Sequence, residues 1–393
     1  MCGITGAVDF SHQTNVTILK KMTDVLYKRG PDDKGYYFEE LQNAQIALGH
    51  RRLSILDLSA KGQQPIKFNN LIISYNGEIY NFKEIRKELE DIGYIFDSET
   101  DTEVVIKSYH AWGIDAVNKF NGMFAFSILD TKKKELILIR DRTGIKPLYF
   151  YQSNITFLFG SEIKSFYQHP SFKKSINHSA VALFFNHGYI PEPHSIYKDT
   201  YKLEAGHYLK FNFSTRKLQK KKYWDVNNFY NQPKIDISKE QAEIEVESIL
   251  KSACNYRLIS DVPVGVFLSG GYDSSLISAL LQSESIKKIK TFSIGFNEPE
   301  FNEAHHAKII ANHLGTDHTE LYCTEKDVSE AFSKISEIFD EPLGDSSMIP
   351  TFLVSKIAKE SVTVALSADG GDEIFGGYDK YLHAQKIESI FKA

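Results

Sequence analysis

The chain begins Met1-Cys2-Gly3, and Cys2 is the first residue whose type and place could do chemistry. A small second residue permits removal of Met1, which leaves Cys2 with both a thiol and a free α-amine. Such an amine titrates near ~7.7–8.0 and can take the thiol proton close to neutral pH, so one residue supplies nucleophile and base. On its own the tripeptide equally suits a small buried residue opening a strand. Four further segments carry reactive groups: RGPDD at Arg29–Asp33, GHRRLSILD at Gly49–Asp57, SYNGEIYN at Ser74–Asn81 and TDTE at Thr100–Glu103. Taken singly, Arg52 reads as a surface ion-pair residue and Asn76-Gly77 as a type I′ hairpin turn. In the second half, SGGYDSS at Ser269–Ser275 follows an apolar run and opens a helical one. Glycines there let backbone approach a phosphate, and a helix N-terminus offers unpaired N–H groups and a positive dipole. The segment lacks the Gly-Lys-Ser/Thr ending of a Walker A loop, and as an isolated string it also suits a glycine turn before a helix. LSADGGDEIFGGY at Leu366–Tyr378 clusters carboxylates. The bland reading is an acidic glycine loop at a strand end.

The elements that must position these groups differ between the two halves. Strands are expected at Gly3–Val8, Ile46–Ile55, Leu71–Tyr75, Met123–Leu129, Glu135–Arg140, Leu148–Tyr151 and Thr156–Phe159, all rich in aromatic and β-branched residues. Helices are expected at Val16–Tyr27 and Phe82–Ile92, with another beginning near Asp101. Many strands with few helices predict sheets covered by helices. The basic run RKLQKKK (Arg216–Lys222) marks a change, giving an expected first domain over 2–215, a linker over 216–236 and a second domain over 237–393. Beyond the linker, helices (Gln241–Arg257, Leu276–Leu281, Glu303–Leu314) alternate with strands (Val264–Leu268, Lys290–Phe296, Val362–Leu366). That rhythm predicts a parallel sheet. In such a sheet the binding crevice lies at the strand C-termini, where SGGYDSS and DGGDE would both fall.

Composition narrows the field. A chain of 393 residues is long for one core, hence two domains. A net charge of −5 argues against nucleic acid as a partner, and no apolar run approaches bilayer-spanning length. The early polar residues Thr5, Asp9 and Ser11 break any signal-peptide core. Cys2, Cys254 and Cys323 are too few and scattered for a disulfide framework or thiolate metal site. A cytoplasmic address is expected.

Together, the five N-terminal segments resemble, in order and spacing, the N-terminal-nucleophile glutamine amidotransferases. The resemblance implies a layered α/β/β/α sandwich and a glutaminase with Cys2 as nucleophile. It also implies an oxyanion hole made by the Asn76 side chain and the Gly77 backbone N–H. Arg52 would fork onto the glutamine α-carboxylate, Asp101 and Glu78 would accept from the α-ammonium, and Arg29 and Gly30 would close the site. SDVPVGVFLSGGYDSS (Ser260–Ser275), with TFSIGF, EPLGDSSMIPT and LSADGGDEIFGGY, resembles the asparagine synthetase version of an ATP-pyrophosphatase domain.

That second resemblance implies an ATP site drawn from Leu268, Ser269, Gly270, Gly271, Asp273, Ser274, Ser275, Ile294, Ser367 and Ala368. Mg²⁺ would sit on Asp273 and Asp372, and Asp369 would handle protons of ammonia. The implied substrates are glutamine, ATP and aspartate, and a homodimer is compatible with the family. Met123 and Ile145 would lie near an ammonia route, core packing being the compatible bland reading. The family usually continues past this length, so the second domain is expected to be incomplete and a phosphate-contacting lysine to lie beyond residue 393. Two alternatives stay open: a same-fold amidotransferase with another acceptor, for example in surface-polysaccharide synthesis, and a shortened chain with glutaminase or binding function only. Ala368 stands where the family has Gly, which would strain a backbone of positive φ.

Overall fold

Side-chain alternation along the early strands explains the layers they form. In the computed structural model, which describes residues 1–297 and 302–392, the first unit contains β1 (Gly3–Asp9), β2 (Asp33–Leu41), β3 (Ala44–Arg52), β4 (Ile66–Phe68), β5 (Leu71–Ile79), β6 (Gly122–Asp130), β7 (Glu135–Arg140), β8 (Tyr149–Gln152), β9 (Thr156–Gly160), β10 (Thr200–Lys202), β11 (His207–Asn212) and β12 (Lys217–Lys222). They make two sheets, ordered β10-β8-β9-β1-β3-β2 and β12-β11-β7-β6-β5-β4, with antiparallel neighbours throughout. Ile4 and Val8 of β1 join Ile46 and Leu48 of β3 in the core between the sheets, against Ile72, Leu129, Leu138 and Leu209 of the second sheet. Ala7 and Ala47, one residue out of phase, face outward onto Leu19 and Met22 of the helix Val16–Asp24. On the other side the helix Asp101–Trp112 packs on β5, with the helix Phe82–Asp91 against it. The result is an N-terminal-nucleophile-type sandwich, layered helix, sheet, sheet, helix.

Lys217–Lys222, where a linker was expected to begin, is instead the edge strand β12 on β11. Its exposed lysines have the composition of a linker, yet lysine on an edge strand is also the usual guard against edge-to-edge pairing. Tyr223 follows the strand into the fold, its hydroxyl donating to the Arg140 carbonyl at 2.7 Å.

The first unit comprises Met1–Ile235 and also Ser336–Asp345. Carboxylates anchor the late segment. Asp340 accepts from the Lys164 backbone N–H at 2.9 Å and lies 3.5 Å from its ammonium, while Glu341 accepts from the Ile196 N–H at 2.8 Å and the Lys202 ammonium at 2.8 Å. EPLGDSSMIPT is therefore divided, its first residues belonging to the sandwich and the remainder to the second unit.

That second unit comprises Asp236–Ile335 and Ser346–Ala393. Its strands β13 (Val264–Phe267), β14 (Lys290–Phe296), β15 (Asp317–Cys323) and β16 (Val364–Leu366) form a parallel sheet ordered β15-β14-β13-β16. Val266 and Leu268 pack against the helices Lys239–Arg257, Tyr272–Glu284 and Ala304–Leu314 on one face. Phe267, Phe292 and Ile294 pack against the helix Met348–Ala358 on the other. The sheet is thus doubly wound. Strand order reverses between β13 and β16, and a doubly wound sheet opens its crevice at such a reversal.

Candidate active site

Cys2 immediately precedes β1, where register with β3 (Gly3 opposite Arg51) brings it to the end of the neighbouring strand. The Leu53 N–H points at Cys2 Sγ at 3.4 Å, and Sγ lies 3.7 Å from the Leu53 carbonyl. Arg29 fixes the Cys2 backbone, its Nε donating to the Cys2 carbonyl at 2.9 Å while Nη1 pairs with Glu162 at 3.1 Å. Burial pushes the Cys2 thiol up. It also lowers the Met1 α-amine to about 6, with Arg29 and Lys146 lowering it further and Cys2 and Glu78 opposing. Met1 as a residue is half exposed, yet its amine end is turned into the site.

Asn76 and Gly77 lie in the middle of β5, opposite Ala125 and Phe124 of β6, so the hairpin-turn reading of this dipeptide fails. A Cβ on Gly77 would stand 2.4 Å from the Met123 carbonyl oxygen, so this approach of two backbones requires glycine. Ser74, Asn76 and Glu78 share the face of β5 turned towards the first sheet, where the Ser74 hydroxyl donates to the Gly49 carbonyl at 3.3 Å. Asn76 is 1% exposed, and its Nδ2 is buried without a hydrogen-bond partner. A buried amide donor left unmatched costs about 1–3 kcal/mol unless something accepts from it.

Asp101 opens its helix behind the Thr100 cap, whose side chain accepts from the Glu103 N–H. Its Oδ2 accepts from the Tyr75 hydroxyl at 2.6 Å and the Ile79 N–H at 2.9 Å. Burial raises this carboxyl to about 6 against those hydrogen bonds. Arg52 is buried, its guanidinium donating to the carbonyls of Ser59, Leu56 and Asp57, a loop in which Gly62 leaves room for it. It is an internal clamp on that loop, not a surface ion pair. The structure thus brings Arg29 and Asp101 within electrostatic range of Cys2, and Cys2, Glu78 and Asp101 within range of Tyr75. Met123 is half-buried on β6, whereas Ile145 is exposed. Sequence reasoning missed Tyr75, which holds Asp101, and Lys146, which is buried beside Met1 and Cys2. The invisible signal for Tyr75 was strand parity, which sends its ring to the helix side.

In the second unit Leu268 is buried at the end of β13, followed by Ser269-Gly270-Gly271 and the helix Tyr272–Glu284. Gly270 takes φ +92°, and a Cβ there would meet the Ala307 N–H nitrogen at 2.9 Å. The loop is self-braced: the Ser269 N–H donates to Ser274 Oγ at 3.2 Å, and the Ser275 hydroxyl donates to the Gly271 carbonyl at 2.6 Å. From β16 the chain enters Ser367-Ala368-Asp369-Gly370, where the Ser367 hydroxyl donates to Asp369 at 2.8 Å. Ala368 has no positive φ, so the anticipated strain is absent; the left-handed residue is Gly370, at φ +94°. A Cβ on Gly371 would lie 2.3 Å from Asp273 Oδ2. The two loops therefore abut at the strand reversal, with Asp273 beside the residue that precedes Asp372. Ile294, half-buried, lies on the face of β14 packed by Leu353 and Val354. Asp273 and Asp372 offer hard oxygen donors of the kind Mg²⁺ takes together with substrate phosphates. Among the described residues no group of three His, Cys, Asp or Glu forms a self-sufficient metal site, and no helix is long and apolar enough to cross a membrane.

Residues 1–224 match the glutamine amidotransferase domain family, and residues 245–393 match the asparagine synthase family, a domain type that uses ATP. The chain is 41% identical to a putative glutamine-hydrolysing asparagine synthetase 2 of Methanocaldococcus jannaschii, over all of this chain and 78% of that protein. Asparagine synthetases 1 and 3 of Bacillus subtilis are 36% and 34% identical, over 97% and 100% of this chain. The chain spans 59% and 65% of the length of those two. On the paired domain matches and these identities, the chain belongs to the glutamine-hydrolysing asparagine synthetase family.

Proposed function

We propose that the first unit hydrolyses glutamine with Cys2 as nucleophile and that the second uses ATP to activate the side-chain carboxylate of aspartate for conversion to asparagine. Once Met1 is removed, the Cys2 α-amine takes the thiol proton and Sγ attacks the glutamine side-chain carbonyl carbon. Asn76 Nδ2 and the Gly77 N–H receive the oxyanion, Asp101 and Glu78 hold the α-ammonium, and Arg52 shapes the α-carboxylate end. The tetrahedral centre collapses, ammonia leaves with the proton returned by the amine, and water releases glutamate from the thioester. In the second unit the aspartate carboxylate attacks the α-phosphorus of ATP and pyrophosphate departs over Ser269–Ser275. Ammonia then attacks the acyl carbon, Asp369 takes the proton that the nitrogen sheds as the C–N bond forms, and AMP leaves. Asp273 and Asp372 would hold Mg²⁺, which when bound neutralises phosphate charge.

The observation that supports this most is the buried Asn76 Nδ2 without a partner, on the β5 face it shares with Glu78. A neutral buried donor without a partner suits charge that appears only during reaction. The test incubates the chain with glutamine, Mg²⁺-ATP and aspartate and measures glutamate, pyrophosphate and asparagine together. All three are expected, and glutamate release should vanish in Cys2→Ala. Hydrolysis persisting in that variant sinks the nucleophile assignment. Glutamate without pyrophosphate or asparagine leaves this chain a glutaminase whose synthetase half is broken or waits for another acceptor or chain.

A further inference from the structure

Lys146 is 4% exposed, a rare place for an ammonium. It follows Asp141, whose carboxylate accepts from the backbone N–H groups of Phe124, Thr143, Ile145 and Lys146 and so fixes the turn that delivers the lysine. Its Nζ lies 3.0 Å from the Met1 thioether sulfur. Removal of Met1 takes that contact away, and the buried ammonium stays beside the end of the chain that Cys2 then forms.

The charged and titratable groups facing this point come from several elements. Cys2 and the Met1 α-amine precede β1, Arg29 follows the first helix, Glu78 is on β5, Asp101 opens its helix, and Lys146 with Asp141 follows β7. Arg29 is already committed to the Cys2 carbonyl and Glu162. Two cations close to a primary amine disfavour its protonated form, and burial does the same. A general base must be unprotonated at working pH.

We propose that Lys146 is a positioning residue of the glutaminase, its buried charge keeping the Cys2 α-amine unprotonated near neutral pH so that the amine can accept the thiol proton. The inference rests on the glutaminase reading above and assigns Lys146 no contact with the reacting atoms.

The test compares pH profiles of glutamine hydrolysis for the parent chain, Lys146→Met and Lys146→Arg, with Met1 removal verified by mass spectrometry. Lys146→Met should move the acid limb of kcat/KM upward in pH by about one unit, with roughly tenfold less activity below the limb. Lys146→Arg should restore the parent limb. An unmoved limb in Lys146→Met, or an equal shift in both variants, overturns the proposal. Parent activity that is absent or independent of Cys2 defeats the underlying reading instead. Should Lys146→Met fail to fold, N-terminal-specific labelling against pH compares the parent chain with Lys146→Gln. An amine titrating about one unit higher in Lys146→Gln supports the proposal, and equal titration of the two overturns it.

Discussion

Asn76 and Asp101 make contrasting demands on a substrate. Asn76 offers a preorganised neutral donor, so its loss should be felt where negative charge develops. Asn76→Ala is expected to lower kcat for glutamine hydrolysis about 10²–10³-fold with little change in KM, as when one oxyanion donor is removed. A rise in KM at constant kcat would mean that the amide binds substrate uniformly. Asp101 is a matter of charge. Because burial raises its carboxyl to about 6, it is neutral below that pH and cannot attract an α-ammonium. Binding of glutamine should therefore weaken as pH falls through about 6 and strengthen as pH rises. Calorimetry on Cys2→Ala reads this without turnover. Adding Asp101→Asn should flatten the dependence and weaken binding by ~1.5–3 kcal/mol, the worth of a charge-assisted hydrogen bond. A dependence surviving Asp101→Asn would assign it to another group.

At the scale of elements, loops carry the second site, and their mutual contact makes a sharp test. A Cβ on Gly371 would strike Asp273 at the far end of its side chain, not at backbone. The carboxylate can swing aside, so Gly371→Ala should change stability by less than about 1 kcal/mol while displacing a proposed Mg²⁺ donor. Pyrophosphate release is expected to fall about 10²-fold, with glutamine hydrolysis untouched; unchanged release would remove Asp273 from the site. Much of this element pattern was legible in sequence. Lys290–Phe296 was read with its observed bounds, and the strand–loop–helix passages at SGGYDSS and DGGDE were legible from glycine and carboxylate spacing. Less was legible where one composition serves two structures. Asn76-Gly77 has hairpin-turn chemistry yet lies mid-strand, because its partner backbone approaches closely enough to demand glycine. The same ambiguity hid β12 among its lysines. Strand β15 (Asp317–Cys323) was unread because its polar residues give little apolar signal at a sheet edge. Lys146 could not be singled out, since burial of a lysine has no local signature.

The whole molecule contains a discontinuity, since the sandwich incorporates Ser336–Asp345. Lys164 and Lys202 are mostly buried and pair with Asp340 and Glu341 from that segment, besides Glu162 and the Ile190 carbonyl. Glu341→Ala leaves the Lys202 ammonium and the Ile196 N–H short of a partner and should destabilise the sandwich by about 1–3 kcal/mol. Denaturant unfolding followed through the first unit measures it, and a loss under ~0.5 kcal/mol would make the segment a passive strap. The same feature has a temporal meaning. During synthesis the sandwich cannot acquire its last carboxylates until residue 345 has left the ribosome, some hundred residues after its strands are made. The α-amine of Met1, buried in the finished unit, has that interval in which to meet an aminopeptidase. Maturation of the nucleophile would then be ordered by translation: nascent chains halted before residue 336 should lose Met1 readily, whereas full-length chains folded with Met1 in place should resist its removal.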